Sequence, residues 1–214
     1  MKKSFSKLNL LSQDYISPFK SGLSKLFQLD LAKLTIILPY YDYLRGLVFI
    51  DDVKQVFEDE APEELDLAAL LSLLHDDFLY HTQKGVRSHQ ETVNFLLNAK
   101  KTYLKKPKQN QKGNFKQVQL NTFIFVHEED EDNMEEEIEQ PEEDNMVIEM
   151  VIRKAKIQRT EILLYDLSSY MDQDRITVEE LITILFLDFI DRIKKGGNNE
   201  KIMRSIIKGV EFYK

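Results

Sequence analysis

The stretch Leu70–Leu104, "LLSLLHDDFLYHTQKGVRSHQETVNFLLNAKKTYL", decides the fold class of this chain. Its first half is leucine-rich and helix-patterned, and it closes on His75-Asp76-Asp77 before a basic, polar connection. Ser88-His89-Gln90-Glu91 then forms a capping box, in which the serine oxygen and the glutamate serve each other's backbone N–H groups, and it starts a second helix running to about Lys105. Two successive amphipathic helices joined by a short turn point to helical architecture. The adjacent carboxylates Asp76 and Asp77 at the end of an apolar helix are either metal ligands or two solvated charges.

Working outward, the helix carrying Asp76 is expected over about Pro62 to Leu79, with Pro62 in its first turn and Glu63 and Glu64 at its positive end. Upstream, Phe19, Leu23, Leu26 and Phe27 fall at helical spacing after Ser17-Pro18. "LAKLTIILPYYDYLRGL" reads as a further helix that Pro39 kinks or interrupts, and Asp51-Asp52 precede a short amphipathic piece ending at "EDEAPEE". Downstream, "TEILLYDLSSYM" and "TVEELITILFLDFIDRIKK" read as two helices. The second is capped by Thr177 with Glu180 and terminated at Gly196-Gly197, before a closing helix that begins near Asn198 or Asn199. "QVQLNTFIFV" and "MVIEMVIRK" are richer in β-branched and aromatic residues and read either as paired strands or as helix edges. The expected fold is therefore mainly α: an all-helical bundle, with a small β-hairpin flanking an acidic run as the alternative for those two segments.

The totals are consistent with one domain over residues 1–214. With 43% hydrophobic residues, the chain can bury one sizeable core. Seven glycines and five prolines are few, which favours long helices over a loop-rich barrel. The absence of cysteine excludes disulfides, thiolate zinc sites and a thiol nucleophile. No apolar run approaches the roughly 20 residues that span a bilayer, so no transmembrane segment is expected.

Charge is unevenly spread. The net charge of −8 argues against a general nucleic-acid partner, which would need clustered Lys and Arg. Much of the negative charge lies in residues 127–145, "HEEDEDNMEEEIEQPEEDN", expected to be a disordered linker or insertion, or a surface for a basic partner. Residues 1–16 carry Lys2, Lys3, Lys7 and several serines with no acid before Asp14. They read as a targeting-like or extended N-terminal segment, with a mitochondrial location as the expectation and a cytoplasmic one as the alternative.

Chemistry-bearing constellations are sparse. His75 and His81 are six apart and do not share a helix face as a metal pair at three or four would. No nucleophile elbow, phosphate loop or dinucleotide fingerprint is present. The C-terminal segments allow a trihelical unit, but its third helix, "ITILFLDFIDRIKK", is too apolar and acidic to read a DNA groove. What remains is Asp76-Asp77 and a second pair, Asp188 and Asp191, three apart on one helix face. Two aspartate clusters on facing helices are what a Mg²⁺-diphosphate site needs.

The order of these residues resembles the trans-polyprenyl diphosphate synthase family, most clearly over residues 67–104. "LAALLSLLHDDF" is similar to that family's first aspartate-rich helix, and "VRSHQETVNFLLNAKKTYL" to its Arg-Arg-Gly-x-x-Thr-Val-Asn segment, through Thr92, Val93, Asn94 and Lys100-Lys101. "LAKLTIIL" lies where the family has Gly-Gly-Lys-x-x-Arg-Pro, Arg159-Thr160 where it has Lys-Thr, and "ILFLDFIDRI" where it has its second aspartate motif. The resemblance implies an all-helical fold around an apolar cavity. It also implies remnant metal positions at Asp76, Asp77, Asp188 and Asp191, and a remnant diphosphate contact at Arg87.

The chain departs from the family pattern at the residues that do the chemistry. Tyr80 replaces the third aspartate of the first motif, Ser88 follows Arg87 where a second arginine belongs, and Phe189 replaces an aspartate beside Asp188. Only Lys33 stands near the place of the isopentenyl diphosphate grip. Ionising an allylic diphosphate requires several Mg²⁺ ions and compensating cations. The expectation is thus a pseudoenzyme with no catalytic residue and no cofactor, Mg²⁺ entering only if the remnant site is active. Its role would be that of a structural subunit bound to other protein subunits, in a mitochondrial complex for instance, with a lipid or isoprenoid as the ligand a remnant cavity would admit. The alternatives are an inactive regulatory subunit of a hetero-oligomeric polyprenyl diphosphate synthase and a cytosolic adaptor using the C-terminal trihelical unit.

Overall fold

The computed structural model describes residues 5–7, 30–104, 113–119, 122–127, 145–171 and 174–213. Among these, the chain forms six α-helices and a four-stranded antiparallel sheet. The order is β1 (Leu31–Pro39), α1 (Tyr40–Phe57), α2 (Leu67–Gln83), α3 (His89–Tyr103), β2 (Gly113–Gln119), β3 (Thr122–His127), β4 (Asn145–Arg153), α4 (Lys154–Leu167), α5 (Val178–Gly196) and α6 (Glu200–Tyr213). The mainly helical character is as expected, and β2 and β3 form a hairpin on the N-terminal side of the acidic run. That hairpin is one half of a sheet with strand order β1-β4-β3-β2.

Strand β1 corrects the helix expected over "LAKLTIILP". Its register with β4 pairs Leu38 with Met146, Ile36 with Ile148 and Leu34 with Met150, and all six side chains are buried. Alternating with them, Lys33, Thr35 and Ile37 face solvent, and Lys33 forms an ion pair with Glu149 of β4 at 3.2 Å. The period is two, which a helix cannot bury on one face. Pro39 holds the next decision: a residue preceding proline is pushed to extended backbone, so the chain stays a strand through Leu38 and the helix starts at Tyr40. Pro39 thus separates a strand from a helix instead of kinking one helix. Helix α1 then runs unbroken through Asp51-Asp52.

The helices cover one face of the sheet. Helix α5 packs on β1, α2 and α4 pack on β4, and α1 lies against both strands. Helix α5 is the centre of the core, with Leu181, Ile182, Ile184, Phe186, Phe189 and Ile190 all buried. A helix apolar around most of its circumference has to be enclosed, and α1, α2, α3 and β1 enclose it. Both expected capping boxes are present, Ser88 with Glu91 before α3 and Thr177 with Glu180 before α5. Gly197, at φ +70°, ends α5 as expected.

Two further boundaries differ from the sequence reading. Helix α2 begins after Asp66, whose carboxylate accepts the Ala69 N–H at 2.7 Å, so Pro62, Glu63 and Glu64 lie in the turn before it. An aspartate with the N-cap geometry outcompetes a proline that only tolerates the first turn. In the C-terminal third, the trihelical alternative in which "ITILFLDFIDRIKK" is a separate third helix does not hold: that stretch continues the helix capped by Thr177, with Val178–Ile182 as its opening turns. The three C-terminal helices are therefore α4, α5 and α6, with α6 packed on α2. The helix-patterned segment around Phe19–Phe27 and the interior of the acidic run lie outside the described residues.

Close approach of α1 to the core depends on Gly46. A Cβ there would sit 2.9 Å from Leu67 Cδ1 and 2.9 Å from Phe186 Cζ. The Phe186 ring is fully buried and has no room to yield. Gly46→Ala is expected to lower stability by about 1 kcal/mol in urea unfolding, overpacking of roughly 1–3 kcal/mol outweighing a helix-propensity gain of about 1 kcal/mol.

Candidate functional site

The carboxylates singled out in the sequence lie on α2 and α5, which pack against each other. Between the second half of α2, the turn after it, α3 and α5 is a half-open cleft of about 270 Å³. Asp77, Arg87 and Asp188 line it, together with His81, Thr82 and Arg192. Its apolar walls are supplied by Leu74, Phe78, Phe95 and Phe189 among others. Three of the five residues picked from sequence therefore share one cavity, although they are far apart in the chain.

Asp76 does not line it. Successive residues on a helix are turned by about 100°, so Asp76 and Asp77 cannot face the same point. Asp76 is directed toward α4, where Lys156 Nζ meets its Oδ2 at 2.6 Å. Asp76 is largely enclosed and Lys156 about a third exposed. Beside this pair, the fully buried His75 places Nε2 2.7 Å from Thr160 Oγ1, and Thr160 donates to the Lys156 carbonyl at 2.9 Å. The threonine proton is thereby committed, so the hydrogen-bond network assigns the His75 proton to Nε2, leaving Nδ1 a buried acceptor with no hydrogen-bond partner among the described residues. Burial, and then the Lys156 charge, push the His75 pKa down to about 4. Two of the segments cited for the resemblance, His75-Asp76 and Arg159-Thr160, are thus neighbours, joined by the His75–Thr160 hydrogen bond.

Inside the cleft each aspartate also has a basic or imidazole side chain beside it, four residues on in its own helix. His81 Nδ1 lies 2.9 Å from the Asp77 carbonyl and 3.3 Å from its carboxylate. Arg192 forms an ion pair with Asp188 one turn before it. Asp191 is turned toward α3, where Tyr103 donates to it at 3.5 Å, and Lys195 pairs with it at 2.6 Å. The Lys195 hydrogen bond holds the Asp191 carboxyl below its ordinary pKa, while burial and then the charges of Asp191 and Asp188 raise Tyr103. Arg87 lies over the Phe95 ring at 5.3 Å, a cation–π contact at the cleft wall.

A Mg²⁺ site needs several oxygen ligands converging within about 2.1 Å of one point. Among the described residues, no group of three or more His, Asp or Glu side chains is placed to hold a metal ion. Asp76 and Asp77 diverge, and Asp77 and Asp188 each face a basic side chain, so these residues do not fit the diphosphate-binding metal cluster that the resemblance implies. Lys33, the one residue near the place of the isopentenyl diphosphate grip, is on the outer face of the sheet with Glu149 and does not line the cleft. Lys100 is also structural, its ammonium bound to Glu180 at 3.1 Å across α3 and α5.

The sequence reading missed Lys156 and Arg192. The Arg192 signal was legible, since it stands four residues after Asp188 on one helix, the spacing of an intrahelical ion pair. Lys156 carries no local signal, because its pairing with Asp76 exists only through the packing of α2 and α4. Comparison with protein-family models, with curated proteins and with solved structures finds no match to this chain.

Proposed function

We propose that this chain is a non-catalytic subunit that acts as a structural component of a larger protein assembly, with the remains of a polyprenyl-synthase-like helix pair at its centre. One observation carries the reading: three of the four aspartates of the two motifs are ion-paired within the chain, Asp76 with Lys156, Asp188 with Arg192 and Asp191 with Lys195, and the fourth, Asp77, points away from Asp76 and has His81 beside it. A working metal-diphosphate site keeps its carboxylates converging and uses mobile cations for the substrate. Here the Asp76–Lys156 pair joins α2 to α4, and the other three pairs each run along a single helix, four residues apart. Exposed apolar side chains on the outer sheet face and on α1, among them Ile37, Val151, Tyr41 and Val48, give such a subunit surface to bury against partner proteins.

The test has two arms. Purified chain is incubated with Mg²⁺, isopentenyl diphosphate and an allylic diphosphate, and products are separated by chain length; no elongated product is expected. In parallel, the chain is followed through gentle native fractionation of its source cells, where it is expected well above the 25.2 kDa of the monomer. Elongated product, or a chain that elutes only as the monomer, overturns the reading. Co-fractionation with an active polyprenyl diphosphate synthase would identify the assembly as that enzyme and the role as regulatory.

A further inference from the structure

We infer that residues Phe5–Lys7 are a clasp built into the folded domain, closing over the start of the central helix α5 and satisfying a carboxylate buried there. This inference is independent of the proposed function and of the cleft. Three contacts carry it. The Phe5 carbonyl accepts the Val178 N–H at 2.9 Å, which serves one of the backbone donors that the first turn of α5 leaves without an intrahelical partner. The Lys7 N–H donates to Glu179 Oε1 at 3.1 Å, and the Ser6 hydroxyl donates to the same oxygen at 3.4 Å. These bonds join residues 172 and 173 positions apart in the chain. The Phe5 ring also meets Tyr165 of α4 edge to face, 6.5 Å between centroids.

Glu179 explains why the clasp matters. It is 5% exposed, and its other oxygen, Oε2, has no hydrogen-bond partner among the described residues. Its position in the first turn of α5 sets it at the positive end of the helix, which favours a carboxylate, but a buried carboxylate still needs donors. The described donors to Oε1 come from Ser6 and Lys7. Ser6 is itself 4% exposed, so the segment is packed into the domain and does not merely touch it. The basic, serine-rich composition that reads as targeting-like therefore overlaps a structural element. A folded chain shortened past Lys7 loses both donors to Glu179 Oε1 together with the residues that pack over it.

The clasp is tested on the full chain and on a form that begins, after its initiating Met, at Leu8, each with Glu179 and with Glu179→Leu. Thermal unfolding is followed by circular dichroism. The shortened chain is expected to melt at least about 5 °C lower, since 1 kcal/mol shifts Tm by roughly 2–4 °C at this size. Glu179→Leu should lower the Tm of the full chain, where it removes the acceptor of both hydrogen bonds, and should change that of the shortened chain less, because those bonds are already absent there. Equal melting of the full and shortened chains overturns the clasp, as does a Glu179→Leu effect that is the same in both. If the shortened form does not fold, hydrogen exchange on the intact chain decides. Slow exchange of the Lys7 and Val178 amides supports the clasp, and exchange of Lys7 at the rate of an open chain overturns it.

Discussion

Replacing Lys156 with Met is expected to destabilise the protein by about 3 kcal/mol, the low end of the roughly 3–5 kcal/mol range for breaking a buried ion pair by removing one partner. The cost arises at the residue left behind. Asp76 is largely enclosed between α2 and α4, and its ion-pair partner in the structure is the Lys156 ammonium at 2.6 Å. Methionine preserves the unbranched stem and removes the charge. The low end applies because Lys156 is about a third exposed, so water reaches part of the site. Asp76→Asn should cost less, since the lysine left behind can turn to solvent. The double variant should be more stable than Lys156→Met alone, because the amide no longer has to bury a charge. Urea unfolding of the four proteins at neutral pH measures the coupling directly. An additive cycle would mean that the pair contributes nothing, and that Asp76 is solvated in spite of its position.

Acidification should cost nearly as much through His75, whose imidazole is held neutral by its surroundings. Its pKa is about 4 in the folded protein against an ordinary value of 6.5. Between these two values the unfolded chain binds a proton that the folded chain refuses, so the stabilisation is fully present above pH 6.5 and is lost as pH falls toward 4. The slope is about 1.4 kcal/mol per pH unit and the total about 3 kcal/mol. Carboxylates begin to titrate below about pH 5, so the window from 6.5 to 5 isolates the histidine. His75→Gln keeps an N–H donor for Thr160 and cannot titrate. Its stability should be nearly flat across that window, whereas the parent loses about 2 kcal/mol. Parallel curves for the two proteins would show that His75 is not the group responsible.

Both predictions concern residues that look, in the sequence, like the edge of an active site. The buried His75 and Asp76 have become part of the contact between α2 and α4, and the cleft beside them is lined by carboxylates that already have partners. Substitutions in the two groups are therefore expected to act differently. Those at Asp76, Lys156 and His75 act on folding, whereas those at the exposed Asp77, His81 and Arg192 act on the cleft and leave stability within a few tenths of a kcal/mol.

What the sequence determined by itself was local. Ser88 with Glu91, Thr177 with Glu180 and Gly197 mark helix ends because a cap involves groups three or four residues apart, and each is where the residues place it. The leucine-rich, helix-patterned stretch that forms α2 is legible for the same reason. What only the tertiary structure decided was everything that depends on a partner distant in the chain. "LAKLTIIL" is apolar enough for a buried helix or a strand, and its pairing with β4, more than a hundred residues later, selects the strand. Asp76 and Asp77 are neighbours in sequence, yet one turns to Lys156 and the other to a cleft shared with Asp188, because a helix rotates about 100° per residue. Glu179 reads as one more acid in a helix's first turn, and it takes the packing of Phe5–Lys7 over α5 to make it a buried carboxylate with donors supplied from the other end of the chain.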